Sequence, residues 1–202
     1  MKILLTGYEP FGGETINPAL EAVKQLHGQT IGTAQVVAAQ LPVVWDAVMP
    51  KFIAALEEHQ PDVVINVGQA GGRAKITPEY IGINLMNGKD NDGVVKVGEP
   101  IVPGGSDGYF ANLPVVQMAA AMNQAHIPAA VSYTAGTYLC NYLAYAVRHH
   151  AVINNLNLKS CFIHIPYLPE QVVDKPANTP SMPLATIVAG LRECIKVVAL
   201  GV

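Results

Sequence analysis

Short apolar runs alternate along the chain with longer stretches in which apolar residues return every three or four positions. A brief continuous apolar run bounded by turn residues reads as a buried strand, and a 3.6-residue period reads as a helix packed on one face. Strands are therefore expected at Lys2–Thr6, Ala34–Leu41, Val63–Val67, Ile81–Met86, Ala129–Ser132 and Cys161–Ile165. Helices are expected at Ala19–Leu26, Val44–His59, Leu113–Ala125, Leu139–His150 and Leu184–Val198, the last three with apolar residues on a roughly 3.6-residue period. This alternation predicts one α/β domain over residues 1–202, a sandwich around a largely parallel sheet. The stretch from Asn87 to Gly108 carries six glycines and two prolines, too many breakers for a simple connection, and is expected to form a lid or a site wall.

Composition narrows the partners. Half of the 202 residues are hydrophobic, 13% are charged and the formal net charge is -3, which gives no electrostatic footprint for nucleic acid or anionic lipid. The first apolar run stops at Gly7-Tyr8-Glu9-Pro10, short of a signal peptide's apolar region. Between Asp107 and Arg148 no Asp, Glu, Lys or Arg occurs, yet Pro114, Gln117, Asn123, Gln124, His126 and Pro128 interrupt the stretch, so it reads as packed core rather than a membrane span. Cys140, Cys161 and Cys194 are few, odd in number and outside any CxxC pair, which fits reduced thiols in a cytoplasm. The low charge density leaves little polar surface for a free monomer and points to a homo-oligomer.

In an α/β sheet ligands sit beyond the carboxyl ends of the strands, so the segments just after each apolar run are where chemistry is sought. After the first run comes Gly7–Pro18, a glycine-rich turn with Tyr8 and Phe11; it lacks the phosphate-loop and dinucleotide patterns and reads either as the wall of an apolar pocket or as a cap on the core. After Val63–Val67 comes Gly68-Gln69-Ala70-Gly71-Gly72-Arg73 and then Glu79, a carboxylate that either faces the same crevice or is solvated. Cys140 follows a small-residue turn at the start of a helix, where unpaired N–H groups and the dipole favour a thiolate; a buried structural cysteine is the other reading. His164 stands at a strand's end, suited to a general base or to a satisfied core position, while Cys161 and Cys194 read as core. Together Cys140, His164 and Glu79 have the composition of a nucleophile, a base and an orienting acid, although spacing alone leaves open whether they meet. No HExxH or Cys/His cluster appears, so neither a metal nor another cofactor is expected.

Four segments in register, LLTGYEPFGGETINP, GQAGGR…ITPE, VSYTAGTYLCN and FIHIPYLPEQ, resemble the pyroglutamyl peptidase I (pyrrolidone-carboxylate peptidase) family of cysteine peptidases over nearly the whole chain. The resemblance implies a three-layer α/β/α sandwich with a twisted mixed sheet, assembled as a homotetramer, acting on peptides with an N-terminal pyroglutamate. It places the catalytic glutamate on Glu79, the nucleophile on Cys140 and the histidine on His164. It also implies that Tyr8 and Phe11 contact the substrate ring and that the Gln69 backbone bonds its lactam amide. The chain departs from the family pattern at Tyr80 and Lys89, where arginines are usual, and at Tyr142, where histidine is; Lys89 is the position expected near the oxyanion. A nucleoside-phosphorylase-like activity would need an arginine-rich phosphate site, and the chain has only Arg73, Arg148 and Arg192. A catalytically dead binder is the remaining rival.

Overall fold

In a computed structural model, which describes residues 1–201, six strands form one sheet. Three of them, β1 (Lys2–Tyr8), β4 (Val63–Gln69) and β10 (Lys159–Ile165), are buried almost throughout, as strands covered on both faces must be. With β2 (Thr30–Ile31), β3 (Ala34–Leu41) and β5 (Thr77–Glu79) the spatial order is β2-β3-β1-β4-β10-β5. The four central strands run parallel, and the short outer strands β2 and β5 are antiparallel to their neighbours.

The alternation of side chains along each strand sorts the core into two halves. Ile3, Leu5, Ile65, Val67 and Ile163 face α1 (Pro18–Leu26), α3 (Val115–Gln124) and α5 (Leu184–Gly201). Leu4, Val64 and Phe162 face α2 (Trp45–His59) and α4 (Leu139–Ile153). The result is the expected α/β/α sandwich with a mixed, mostly parallel sheet.

Two expected strands come out differently. Ile81–Met86 divides into β6 (Ile81–Ile83), paired with β9 (Gly108–Phe110), and β7 (Met86–Lys89), paired with β8 (Val95–Glu99). The break is held by side chains: Asn84 exchanges hydrogen bonds with the Val102 backbone, and Asn141 bonds the backbone of Ile83 and Leu85. Ala129–Ser132 runs along the 76–80 segment but makes only isolated bridges, at Ile76–Ala129 and Glu79–Ser132. Pro78 has no N–H to donate between them, so the ladder is interrupted there.

The breaker-rich stretch holds the β7–β8 hairpin, fastened from below by Asp90. Its carboxylate accepts from the Trp45 N–H at 3.0 Å and the Val94 N–H at 2.8 Å. Val44 precedes α2 with no side-chain cap, so a carboxylate from the hairpin caps that helix. Asn91 ties the same turn to the Glu9 side chain and the Pro10 carbonyl.

Candidate active site

Because β1, β4 and β10 are parallel, their carboxyl ends open at one edge, and β1 and β4 flank the point where the strand order reverses. A cleft of about 260 Å³ lies there, lined by Phe11 after β1, by the end of β4 and the turn after it (Gln69 to Arg73), by His164 near the end of β10 and Tyr167 beyond it, and by the approach to α4 and its first turn (Ala135 to Cys140).

Cys140 is the second residue of α4. Gly136, at φ +75°, makes the turn that brings the chain into the helix. The Sγ is accommodated by Gly68: a Cβ there would stand 3.0 Å from Sγ and 2.6 Å from the Phe162 ring. Gly68 is also the register partner of His164 on β10, which brings the thiol and the imidazole over the same point of the sheet.

His164 Nδ1 and Glu79 Oε1 are 2.7 Å apart. A carboxylate only accepts, so Nδ1 carries the hydrogen and Nε2 is left as the basic nitrogen. Glu79 comes from the outermost strand of the sheet, where it sits opposite Phe162, two residues along β10 from His164. Cys140, His164 and Glu79 are 8%, 4% and 2% exposed.

A fourth residue belongs to this set. Arg73 Nη1 donates to the same Glu79 Oε1 at 2.6 Å and to Thr77 Oγ1 at 2.5 Å, and its Nη2 reaches the Thr134 carbonyl at 3.0 Å. Glu79 Oε2 is buried with no partner among the described residues, so both donors converge on one oxygen. Arg73 lies in a segment visible in the sequence, but nothing in its spacing says that it turns back onto a carboxylate six residues later.

Burial governs the protonation of the pair. It pushes the Cys140 thiol up to about 12, with the Glu79 charge adding to the rise, while Arg73 and a backbone hydrogen bond work against it. A helix start typically supplies only about 1 kcal/mol, which is too little to offset desolvation of a buried thiolate. The thiolate expected from the helix start is therefore outweighed. Burial also lowers the His164 pKa, opposed by its hydrogen bond to Glu79. Both shifts favour the neutral form, of the thiol and of the imidazole.

The other expected residues divide. Phe11 lines the cleft with its ring 6.2 Å from that of Tyr138. Gln69 lines it too, at the end of β4. Tyr8 does not: it is buried on the α2/α4 side, and its hydroxyl donates to the Leu139 carbonyl at 2.6 Å, tying the end of β1 to the start of α4. Lys89 is exposed on the hairpin and is not part of the cleft lining; its carbonyl accepts from the Tyr138 hydroxyl at 2.8 Å. Tyr80 packs between Phe110 and Tyr133, and Tyr142 packs edge-on to Trp45, both away from the lining. Tyr138 and Tyr167, both inside motifs read from the sequence, form walls that spacing did not single out. Cys161 and Cys194 are buried in the core on the α1/α3/α5 side of the sheet. Among the described residues no helix is long and apolar enough to cross a membrane.

A family model described as pyroglutamyl peptidase matches residues 1–200. The chain is 47% identical over 200 residues to a pyrrolidone-carboxylate peptidase of Lactobacillus johnsonii, covering 98% of this chain and 92% of the relative. It is also 47% identical over 193 residues to one of Bacillus subtilis, covering 95% and 89%. The crystal structure of pyroglutamyl peptidase I from Bacillus amyloliquefaciens superposes with a TM-score of 0.95 at 44% identity, over 98% of this chain and 97% of that one. A cysteine at a helix start, a histidine tied to a buried glutamate and a match along almost the full length lead to one assignment: the chain belongs to the pyroglutamyl peptidase family of cysteine-type hydrolases.

Proposed function

We propose that the chain, acting as one catalytic domain over residues 1–202, removes an N-terminal pyroglutamyl residue from peptides through a Cys140–His164–Glu79 triad and a thioester intermediate. The observation that carries this reading is Cys140 lining the same cleft as His164, with Nδ1 of that histidine held by a buried glutamate.

The thiol proton passes to His164 Nε2 as sulfur attacks the pyroglutamyl carbonyl carbon. The tetrahedral oxyanion is met by the free N–H groups at the start of α4, a contribution of about 3 kcal/mol per donor. The imidazolium, stabilised by Glu79 and oriented by the 2.7 Å bond, then gives its proton to the departing amine as the C–N bond breaks. Water, deprotonated by the freed Nε2, attacks the thioester; the C–S bond breaks, 5-oxoproline leaves and the thiol is restored. Because burial favours a neutral resting pair, charge is created only during the chemical step, where the oxyanion donors and Glu79 act on it.

The substrate ring is compact and uncharged, and Phe11 with Tyr138 offers it aromatic walls, while the Gln69 backbone is suited to its amide. Tyr8 serves this pocket from beneath, by fixing the start of α4. Lys89 does not line the cleft, so the backbone amides are the primary donors. We place the enzyme in the cytoplasm as a homotetramer without a cofactor, with no nucleic-acid or membrane partner; buried thiols suit a reducing compartment. Release of aminocoumarin from pyroglutamyl-aminocoumarin tests the reading: turnover by the wild type, and none by Cys140→Ala, is expected. No wild-type turnover, or equal turnover by the variant, contradicts it.

A further inference from the structure

Three polar side chains from distant parts of the sequence meet where Gln69 leaves the cleft lining. Gln171, in the short 3₁₀ turn Pro169–Gln171, is buried. Its Oε1 accepts from the Leu168 N–H at 2.9 Å. Its Nε2 donates to Glu14 Oε2 at 3.1 Å and to Gln69 Oε1 at 2.8 Å, with the Ile16 carbonyl farther away at 3.4 Å. Glu14 is in turn held by Lys175 at 2.7 Å.

The two ends of an amide side chain look alike in shape, so its orientation has to follow from its partners. Here the partners allow one answer. A backbone N–H can only donate, so the atom of Gln171 facing Leu168 is the oxygen. A carboxylate paired with Lys175 can only accept, so the atom facing Glu14 is the nitrogen, and its second hydrogen goes to Gln69. Gln69 must therefore turn its oxygen to Gln171 and its NH2 group away. That Nε2 has no acceptor among the described residues, yet it is not sealed in the interior as Asn66 Nδ2 is. Gln69 itself lines the cleft beside Phe11 and His164.

We infer that Gln171, seated by Glu14 and the Leu168 amide, is a positioning residue that presents the Gln69 side-chain NH2 to the cleft as the donor for the ring carbonyl of the substrate. This rests on the peptidase reading above. It adds a side-chain contact to the expected backbone one, and it gives the site a way to distinguish a lactam from a plain pyrrolidine ring. A donor aimed at a carbonyl and left unpaired by a ring without one penalises that ring.

The test compares inhibition of pyroglutamyl-aminocoumarin hydrolysis by 2-pyrrolidinone and by pyrrolidine-2-thione, rings of the same skeleton in which the bulkier sulfur is the poorer acceptor. The wild type is expected to favour the oxo ring by about tenfold, the value of one neutral hydrogen bond. Gln69→Met removes the donor, and Gln171→Glu forces the Gln69 amide to turn its NH2 inward; both are expected to bring the ratio close to one. Glu14→Ala, near the surface, should lower the ratio partway. A wild type without the oxo preference, or variants that keep it, overturns the inference while leaving the hydrolase intact. A wild type that neither hydrolyses the amide nor binds 2-pyrrolidinone overturns both.

Discussion

At the residue scale the site is set by how few partners a buried charge has. Glu79 carries a buried carboxylate whose oxygen Oε1 takes both Arg73 and His164. Removing Arg73 strands that charge, so Arg73→Met is expected to lower kcat about a hundredfold and stability by about 2–3 kcal/mol, measured by steady-state kinetics and denaturant titration. Unchanged kinetics would show that the guanidinium is only a strut for Thr134. The protonation of Cys140 gives a second expectation. A thiol raised to about 12 is almost wholly protonated at neutral pH, so alkylation of the free enzyme by iodoacetamide should be slow at pH 7 and rise about tenfold per pH unit up to at least pH 9. A plateau already reached near pH 6 would reveal a preformed thiolate–imidazolium pair instead. The lowered His164 pKa keeps Nε2 unprotonated as pH falls, so the acid limb of kcat/KM should lie below the ordinary imidazole value of about 6.5. Cys140 and His164 were legible as candidates because each stands at the end of a strongly patterned element. Arg73 was not, since its role depends on a loop folding back on Glu79, and neither was the dominance of burial over the helix start.

At the element scale, the same strand ends that cannot tolerate bulk hold the reacting groups. A methyl group on Gly68 would meet the Phe162 ring at 2.6 Å and the Cys140 sulfur at 3.0 Å. Gly68→Ala is therefore expected to cost about 1–3 kcal/mol and to depress kcat more than KM, read from thermal melts and kinetics together. Asp90→Ala removes the cap of α2 and the anchor of the hairpin turn at once, with an expected loss of about 1–2 kcal/mol. The buried strands could be read from their continuous apolar runs, and the last three expected helices from their period, because burial on both faces, or on one helical face, writes directly into residue type. The Ile81–Met86 region could not: its apolar residues serve two separate ribbons, and the decision is made by Asn84 and Asn141 through tertiary hydrogen bonds. Ala129–Ser132 failed as a ladder for a local reason, the missing N–H of Pro78 on its partner.

At the scale of the molecule, the parallel order of β1, β4 and β10 gathers four sequence-distant segments at one edge, and that convergence is why motifs spread from residue 4 to residue 171 act as one site. The layered architecture and the largely parallel sheet followed from the alternation of strands and helices; which aromatic faces the cleft did not, as Tyr8 and Tyr138 show. Assembly belongs to this scale too. The hairpin exposes Val95 and Val97 at 56% and 76%, apolar surface that a partner subunit would cover. Sedimentation equilibrium is expected to give four times the 21.4 kDa chain mass, and a monomer at micromolar concentration would contradict the proposed tetramer. The central claim, that Cys140 attacks the pyroglutamyl carbonyl, is tested most directly by trapping the intermediate. Enzyme mixed with excess pyroglutamyl-aminocoumarin, quenched in acid within one turnover and mapped by mass spectrometry should carry one pyroglutamyl group on the peptide containing Cys140. Product release with Cys140 unmodified at every quench time, or the acyl group found on Cys161 or Cys194, would contradict the account.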